Sequence, residues 1–242
     1  MLIESPVVTI TLNRPEALNA ITPTMLAELA AAFDHAASVP GLSVVVLTGA
    51  GRAFSAGVDL KSLGDRSLAG GKVGDVLDVP ARRVIEAIRT IEAVVIAKVN
   101  GFCFTGALEL ALACDLVIAA DEAKLGDTHA KFGLRPTWGM SQRLPAAVGA
   151  ARARLLSYTA RPFSGTQAAA WGLAAASCPA AELDAFTASL VAEITANSRG
   201  AVLGYKSLYR VAETALLHDG LAHEAATDFS ITDTDERIAG FR

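Results

Sequence analysis

Between Val7 and Leu12 the chain alternates Thr9 and Thr11 with Val8, Ile10 and Leu12. A period of two predicts a strand with one buried face, and Asn13, Arg14 and Pro15 end it. Thr22 followed by Pro23 is a cap and first-turn signal, and Leu26, Leu29, Ala30, Phe33 and Ala37 share one helical stripe. A helix is therefore expected over about 23–37. Three nearly continuous apolar runs, 43–48, 94–99 and 116–120, read as strands covered on both faces. Helical patterns at 80–91 and 105–113 lie between them, so the alternation predicts an α/β architecture with right-handed crossovers.

Residues 64–79 turn Gly-rich and weakly patterned, which suggests a mobile surface loop able to cover a ligand. Beyond Trp138 strand signals disappear, and helical patterns recur at about 152–158, 164–171, 180–195 and 201–217. The expected organisation is an α/β core over 1–195 and a C-terminal helical region over 196–242, with no internal repeat of the solenoid kind.

Composition narrows the classes of function. Basic and acidic residues are nearly balanced and interspersed, at a net charge of −4, so no Lys/Arg block marks a nucleic-acid or anionic-membrane partner. The longest apolar stretch, 108–120, is broken by Glu109 and Asp115, and the N-terminal residues lack a secretory pattern. The expected address is cytoplasmic. Cys103, Cys114 and Cys178 show no metal spacing and read as buried, reduced packing residues.

Two constellations carry candidate chemistry. The first runs from Gly49 through Phe54, Ser55, Ala56, Gly57, Val58, Asp59 and Leu60 to Lys61, a small-residue turn between a strand and an expected helix. Small residues let backbone approach a ligand, and N–H groups at a helix start favour negative charge, so the segment suits an anion or oxyanion cradle. An ordinary strand-to-helix turn is the plain alternative. A dinucleotide fingerprint is the other, but Phe54 stands where its third Gly belongs.

The second constellation runs from Asn100 to Cys114. Glu109 is its only polar side chain after Gly106, on a helix with no solvated face, so it is expected to be buried. A buried carboxylate needs a partner, a ligand or a catalytic duty. Lys98 is one candidate partner. Gly106, three residues earlier, places a free N–H on the same helix face.

These segments, with Leu12-Asn13-Arg14-Pro15, Asn19-Ala20, Val99-Asn100-Gly101, Ala113-Cys114-Asp115, Gln142-Arg143-Leu144-Pro145 and Gly172-Leu173, occur in the order found in the crotonase superfamily, the enoyl-CoA hydratase/isomerase group. The chain resembles that family over essentially its whole length. The resemblance implies a spiral of ββα units with a C-terminal helical trimerisation region, assembled as a homotrimer or dimer of trimers. It implies a coenzyme A thioester as substrate and requires no metal or redox cofactor. Oxyanion donors fall at Val58 and Gly106, and Ser55, Ala56, Gly57, Asp59 and Leu60 fall on the coenzyme A side.

The expected activity is that of an enoyl-CoA hydratase-like lyase adding water to a trans-2-enoyl-CoA. Glu109 matches one of the family's two acid/base glutamates, whereas His129 stands where the other would be. Imidazole suits either role, and in an extended segment Asp127 would share its side and orient the ring. Trp138 either walls the acyl pocket or anchors the following helix, and Lys206 either reaches a coenzyme A phosphate or belongs to a solvated helix face. Other readings are an acyl-CoA-binding homologue with weak catalysis, a different crotonase reaction such as isomerisation, and, least well fitted, a nucleotide-dependent oxidoreductase.

Overall fold

The structure, a computed structural model, describes residues 1–4, 6–64 and 68–241. The chain opens with β1 (Leu2–Glu4), β2 (Val7–Leu12) and α1 (Pro23–Ala37). Three units of long strand, short strand and helix follow. They are β3 (Val44–Gly49), β4 (Ala53–Ser55) and α2 (Asp75–Thr90); β5 (Val94–Val99), β6 (Phe102–Phe104) and α3 (Gly106–Ala111); and β7 (Leu116–Ala120), β8 (Lys124–Gly126) and α4 (Met140–Val148). The remainder is α5 (Ala150–Thr159), β9 (Phe163–Ser164), α6 (Gly165–Ala170), β10 (Ala176–Cys178), α7 (Leu183–Thr195), α8 (Arg199–Ala212), α9 (Leu217–Ala226) and α10 (Thr234–Phe241).

Each unit adds one strand to each of two sheets. The long strands form a six-stranded sheet in the order β1-β2-β3-β5-β7-β10, parallel except for β1, and the short ones a four-stranded sheet in the order β4-β6-β8-β9, parallel except for β9. This is the expected ββα spiral, and it decides where chemistry can be placed. Ser55 pairs with Cys103 and Cys103 with Leu125, so the C-terminal ends of β4, β6 and β8 are level. The segments that leave them, 56–59, 105–106 and 127–129, emerge together at the carboxyl edge of a parallel sheet, where α/β proteins gather ligand-binding loops.

Local sequence accounts for most of these elements. Val8, Ile10 and Leu12 are the buried set of β2, and every residue of β3 is buried, as the two patterns require. Thr22 caps α1 by accepting the Met25 N–H at 3.1 Å, and Met25, Leu26, Leu29, Ala30, Phe33 and Ala36 form its buried face. Each large apolar side chain fully buried in this core contributes about 1.5–3 kcal/mol relative to exposure.

Several boundaries differ from expectation. Helix α2 starts at Asp75, not near residue 80, because Leu77 and Ala81 are anchored in the core and the helix runs through Pro80. The proline withholds a donor only from the first turn, where a carbonyl can turn to water. The expected loop over 64–79 is thus shortened by α2 and by a 3-10 turn at Ala69–Gly71; its residues 65–67 lie outside the described residues. Strands do continue beyond Trp138, as β9 and β10, two edge strands too short to show a period. The pattern at 201–217 divides into α8 and α9, and the segment after Asp59 is a 3-10 turn (Leu60–Leu63). Since β3 leads into β4 and no helix opens at Gly51, the dinucleotide arrangement is absent there. Cys103 and Cys178 are buried and Cys114 only partly so, all three free, and burial pushes the Cys103 thiol far up, away from ionisation. No helix among the described residues is long and apolar enough to cross a membrane.

Candidate active site

The segment after β4 is held from two sides. Ile21 donates its N–H to the Gly57 carbonyl at 2.8 Å and accepts the Asp59 N–H at 2.9 Å. Val58 between them therefore turns its own N–H away from Ile21, and among the described residues that N–H has no protein acceptor. Asn19, fully buried at φ +54°, supports the arrangement: its Nδ2 donates to the Ala50 and Ala53 carbonyls and its Oδ1 accepts the Arg14 N–H. On the opposite side Gly57 presses on the start of α3. At φ +91°, a Cβ there would lie 2.1 Å from Thr105 Oγ1 and 2.7 Å from the Phe104 carbonyl, so only glycine permits the approach.

Thr105 itself sits at φ 48°, ψ −116°, a conformation costing about 1–3 kcal/mol and met mostly where function demands it. It is kept there by its N–H bond to the Gly126 carbonyl at 2.9 Å. Gly106 follows as the first residue of α3, and its N–H has no protein acceptor among the described residues, as helix geometry dictates. Two unpaired backbone donors thus stand on adjoining segments.

One turn along α3, Glu109 is 1 % exposed. Its Oε1 accepts two backbone N–H groups, from Trp138 and Met140, both at 2.9 Å. Its Oε2 faces His129 Nε2 at 3.5 Å. His129 Nδ1 lies 2.7 Å from Asp127 Oδ1, and Asp127 Oδ2 accepts the Ser157 hydroxyl at 2.6 Å. The proton on His129 is therefore assigned to Nδ1 in the neutral ring, which leaves Nε2 as an acceptor toward Glu109. The expected pairing of Asp127 with His129 is present, but its geometry is not extended: His129 starts a 3-10 turn, and Asp127 Oδ1 also accepts the His129 backbone N–H at 3.3 Å.

The charges follow from these contacts. Burial raises the Glu109 carboxyl above its ordinary range, against the opposing pull of the Met140 N–H, the His129 charge and the Trp138 N–H. Burial also pushes Asp127 upward, yet hydrogen bonds from His129 and Ser157 prevail and hold it below the ordinary carboxylate range. The result is a polarised line, Ser157 to Asp127 to His129 to Glu109. The anchored Asp127 stays ionised, while Glu109 holds a proton more readily than a free acid. Glu109 Oε2 and His129 Nε2 face each other at 3.5 Å, close enough for one water to link them.

Other expected residues take different places. Lys98 is not the partner of Glu109; it pairs with Asp184 of α7 at 2.5 Å. Lys206 is neither solvated nor free for a phosphate: its ammonium donates to the Ile88 and Ala93 carbonyls and to Asp115 Oδ2, fastening α8 to the core. Ser55 is buried and its Oγ accepts the Gly57 N–H at 3.1 Å, Ala56 donates its N–H to the Leu18 carbonyl, and Asp59 pairs with Arg14 at 3.3 Å. Leu60 is exposed. Trp138 is buried, its indole against Gly106 and its Nε1 donating to Asp78 Oδ1 at 2.8 Å. Sequence reading missed Asp78, Ser157 and the Met140 N–H. Asp78 had a signal: from a helix starting at Asp75 it falls on the buried face with Ala81 and Ile85.

The ββα spiral that carries these residues matches a known family. The enoyl-CoA hydratase/isomerase family model matches residues 3–242. The chain belongs to that family. Over 199 residues it is 38 % identical to a probable peroxisomal enoyl-CoA hydratase of Arabidopsis thaliana, covering 82 % of this chain and 73 % of that protein. A probable enoyl-CoA hydratase of Mycobacterium bovis is 34 % identical over 235 residues, 96 % of this chain and 90 % of that one. Among solved structures, the enoyl-CoA hydratase of Bacillus anthracis superimposes with a TM-score of 0.87 at 33 % identity, over 93 % of this chain and 86 % of that one. Membership supports a crotonase-type reaction.

Proposed function

We propose that this enoyl-CoA hydratase/isomerase family member adds water to the double bond of a trans-2-enoyl-CoA. The observation that carries the reading is the 3.5 Å approach of Glu109 Oε2 to His129 Nε2, beside a Gly106 N–H that has no internal partner. In the proposed reaction the thioester oxygen accepts hydrogen bonds from the Val58 and Gly106 N–H groups. Water oxygen bonds to Cβ, the π electrons move onto the thioester as an enolate, and a proton is then delivered to Cα. Two N–H donors aimed at the developing oxyanion contribute about 3–4 kcal/mol each.

Glu109 and His129 divide the two proton transfers, one taking the proton of water and the other supplying Cα. Each turnover leaves the proton on the opposite partner, and its return through a bridging water resets the pair. Asp127 supports the imidazolium whenever His129 holds the extra proton, and Ser157 holds Asp127. The step balances without a metal or redox group. Ser55, Ala56, Gly57, Asp59 and Leu60 are assigned to the coenzyme A side.

The same proposal covers assembly and location. Tyr205, Tyr209, Leu217 and Leu221 leave an apolar face exposed on α8 and α9, which supports a homotrimer or dimer of trimers, to be checked by light scattering. Three free cysteines suit the reducing cytoplasm, to be checked by fractionation.

The deciding experiment follows the enoyl-thioester absorbance of trans-2-butenoyl-CoA with purified protein. Its loss, with formation of the 3-hydroxyacyl product and abolition in Glu109→Gln, is the expected result. Binding without turnover would make the protein an acyl-CoA-binding homologue, and a shifted double bond in place of a hydroxyl would make it an isomerase.

A further inference from the structure

Trp138 is fixed at every polar group it has. Its N–H donates to Glu109, its carbonyl accepts Arg143 Nη1 at 3.0 Å, and its indole Nε1 donates to Asp78. Asp78 is buried on α2, and the same Oδ1 accepts the neighbouring Thr137 hydroxyl at 2.7 Å. The indole ring is thereby pressed over Gly106, where an added Cβ would lie 2.5 Å from Cζ3. On the outer side, Asp78 and Thr137 line a polar cavity of about 670 Å³ that also touches Arg82 and Arg135 but not Trp138. The buried ring therefore fills the space between Gly106 on α3 and Asp78, which lines that cavity. None of the proton transfers proposed above uses Asp78.

We infer that the Trp138 indole is the specificity-determining wall that restricts this enzyme to short acyl groups, and that Asp78 is the positioning residue holding it closed. The inference rests on the hydratase reading, which sets the reacting carbons beside Glu109 and so directs the rest of the acyl group at the ring. A planar ring tied by its N–H to a buried carboxylate cannot swing aside without leaving that N–H unpaired and taking one of its two hydrogen bonds from Asp78 Oδ1, so the limit is rigid. Removing the ring would free the space it fills between Gly106 and Asp78, which gives a longer chain room beside α3.

The test is calorimetric binding of butanoyl-, octanoyl- and dodecanoyl-CoA to the full chain, with folding confirmed by circular dichroism. Wild type should bind butanoyl-CoA more tightly than dodecanoyl-CoA by at least about tenfold, the scale on which a closed apolar pocket rejects added methylenes. Trp138→Ala should bring that ratio to about one, and Trp138→Phe, which keeps a ring but loses the indole N–H, should serve if the alanine variant does not fold. Asp78→Ala should lower the ratio, whereas Asp78→Asn, which retains an acceptor oxygen, should restore it. An unchanged ratio in the folded Trp138 variants, or wild type binding dodecanoyl-CoA as tightly as butanoyl-CoA, overturns the inference while leaving the hydratase reading intact. Folded wild type that binds no acyl-CoA at all overturns both.

Discussion

The Val58 and Gly106 donors are main-chain groups, whereas the Glu109 and His129 pair consists of side chains, and the two halves of the site are held in correspondingly different ways. Val58 and Gly106 are set by close backbone approach: the Ile21 bridge, the contact of Gly57 with Thr105, and the left-handed twist of Thr105. Side-chain identity matters there only where a Cβ would intrude. Glu109 and His129 are set by polar neighbours, two N–H groups on one oxygen and a carboxylate behind the ring. The backbone half should tolerate chemical change and resist added volume. The side-chain half should do the reverse.

Glu109→Gln should lower turnover of trans-2-butenoyl-CoA about 10³-fold, roughly 4 kcal/mol in the barrier, with the fold retained by circular dichroism. Gly57→Ala should cost about 3 kcal/mol of stability in urea titrations, since its Cβ meets Thr105 in a backbone conformation hostile to side chains. A wild-type Cm for Gly57→Ala would break the account of the backbone half. Asp127→Asn should lower turnover about 10²-fold, roughly 2.7 kcal/mol, with little change in KM, by removing the charge that supports the imidazolium.

The same Glu109→Gln protein should be more stable than wild type near neutral pH, by about 1 kcal/mol, because a buried carboxylate is no longer required to ionise. The sign is set by the raised folded-state value. Favourable burial of the neutral acid is complete below the ordinary carboxyl range and is lost as pH rises toward the raised value, so the gap between variant and wild type should open over that window in urea titrations. Asp127, held low, contributes with the opposite sign: its stabilisation is present above the ordinary range and disappears as acid protonates it. Val58→Ala should be the mildest change, within about 0.5 kcal/mol in both stability and barrier, since only its N–H is used.

Legibility in the sequence followed the same division. Glu109 was readable as buried because it is the lone charge on an apolar helix, and the free N–H of Gly106 because helix starts leave donors unpaired. Asp78 becomes legible only once α2 is started at Asp75; Pro80 concealed that start and left the acid in an apparent loop. Ser157 gave no sign, for a serine amid helical spacing is indistinguishable from any solvated one until the fold brings Asp127 to it. Of the two partners considered for Glu109, His129 and not Lys98 faces it. Lys98 is near in sequence but pairs with Asp184 of α7, whereas His129 arrives from a different unit of the spiral.

Alternating and continuous apolar runs, the Thr22-Pro23 cap and the placement of glycines were enough, without tertiary information, to place the longer strands and most helices and to mark the segments where backbone can be left bare. Those features are local, governed by periods of two and of 3.6 residues and by single-residue conformational preferences. The levelling of β4, β6 and β8, the 3.5 Å meeting of Glu109 with His129, and the pinning of Trp138 by Asp78 were decided only when the sheets formed. They join residues 20 to 60 positions apart. Such contacts depend on strand register and helix packing, quantities that no short window of the chain encodes.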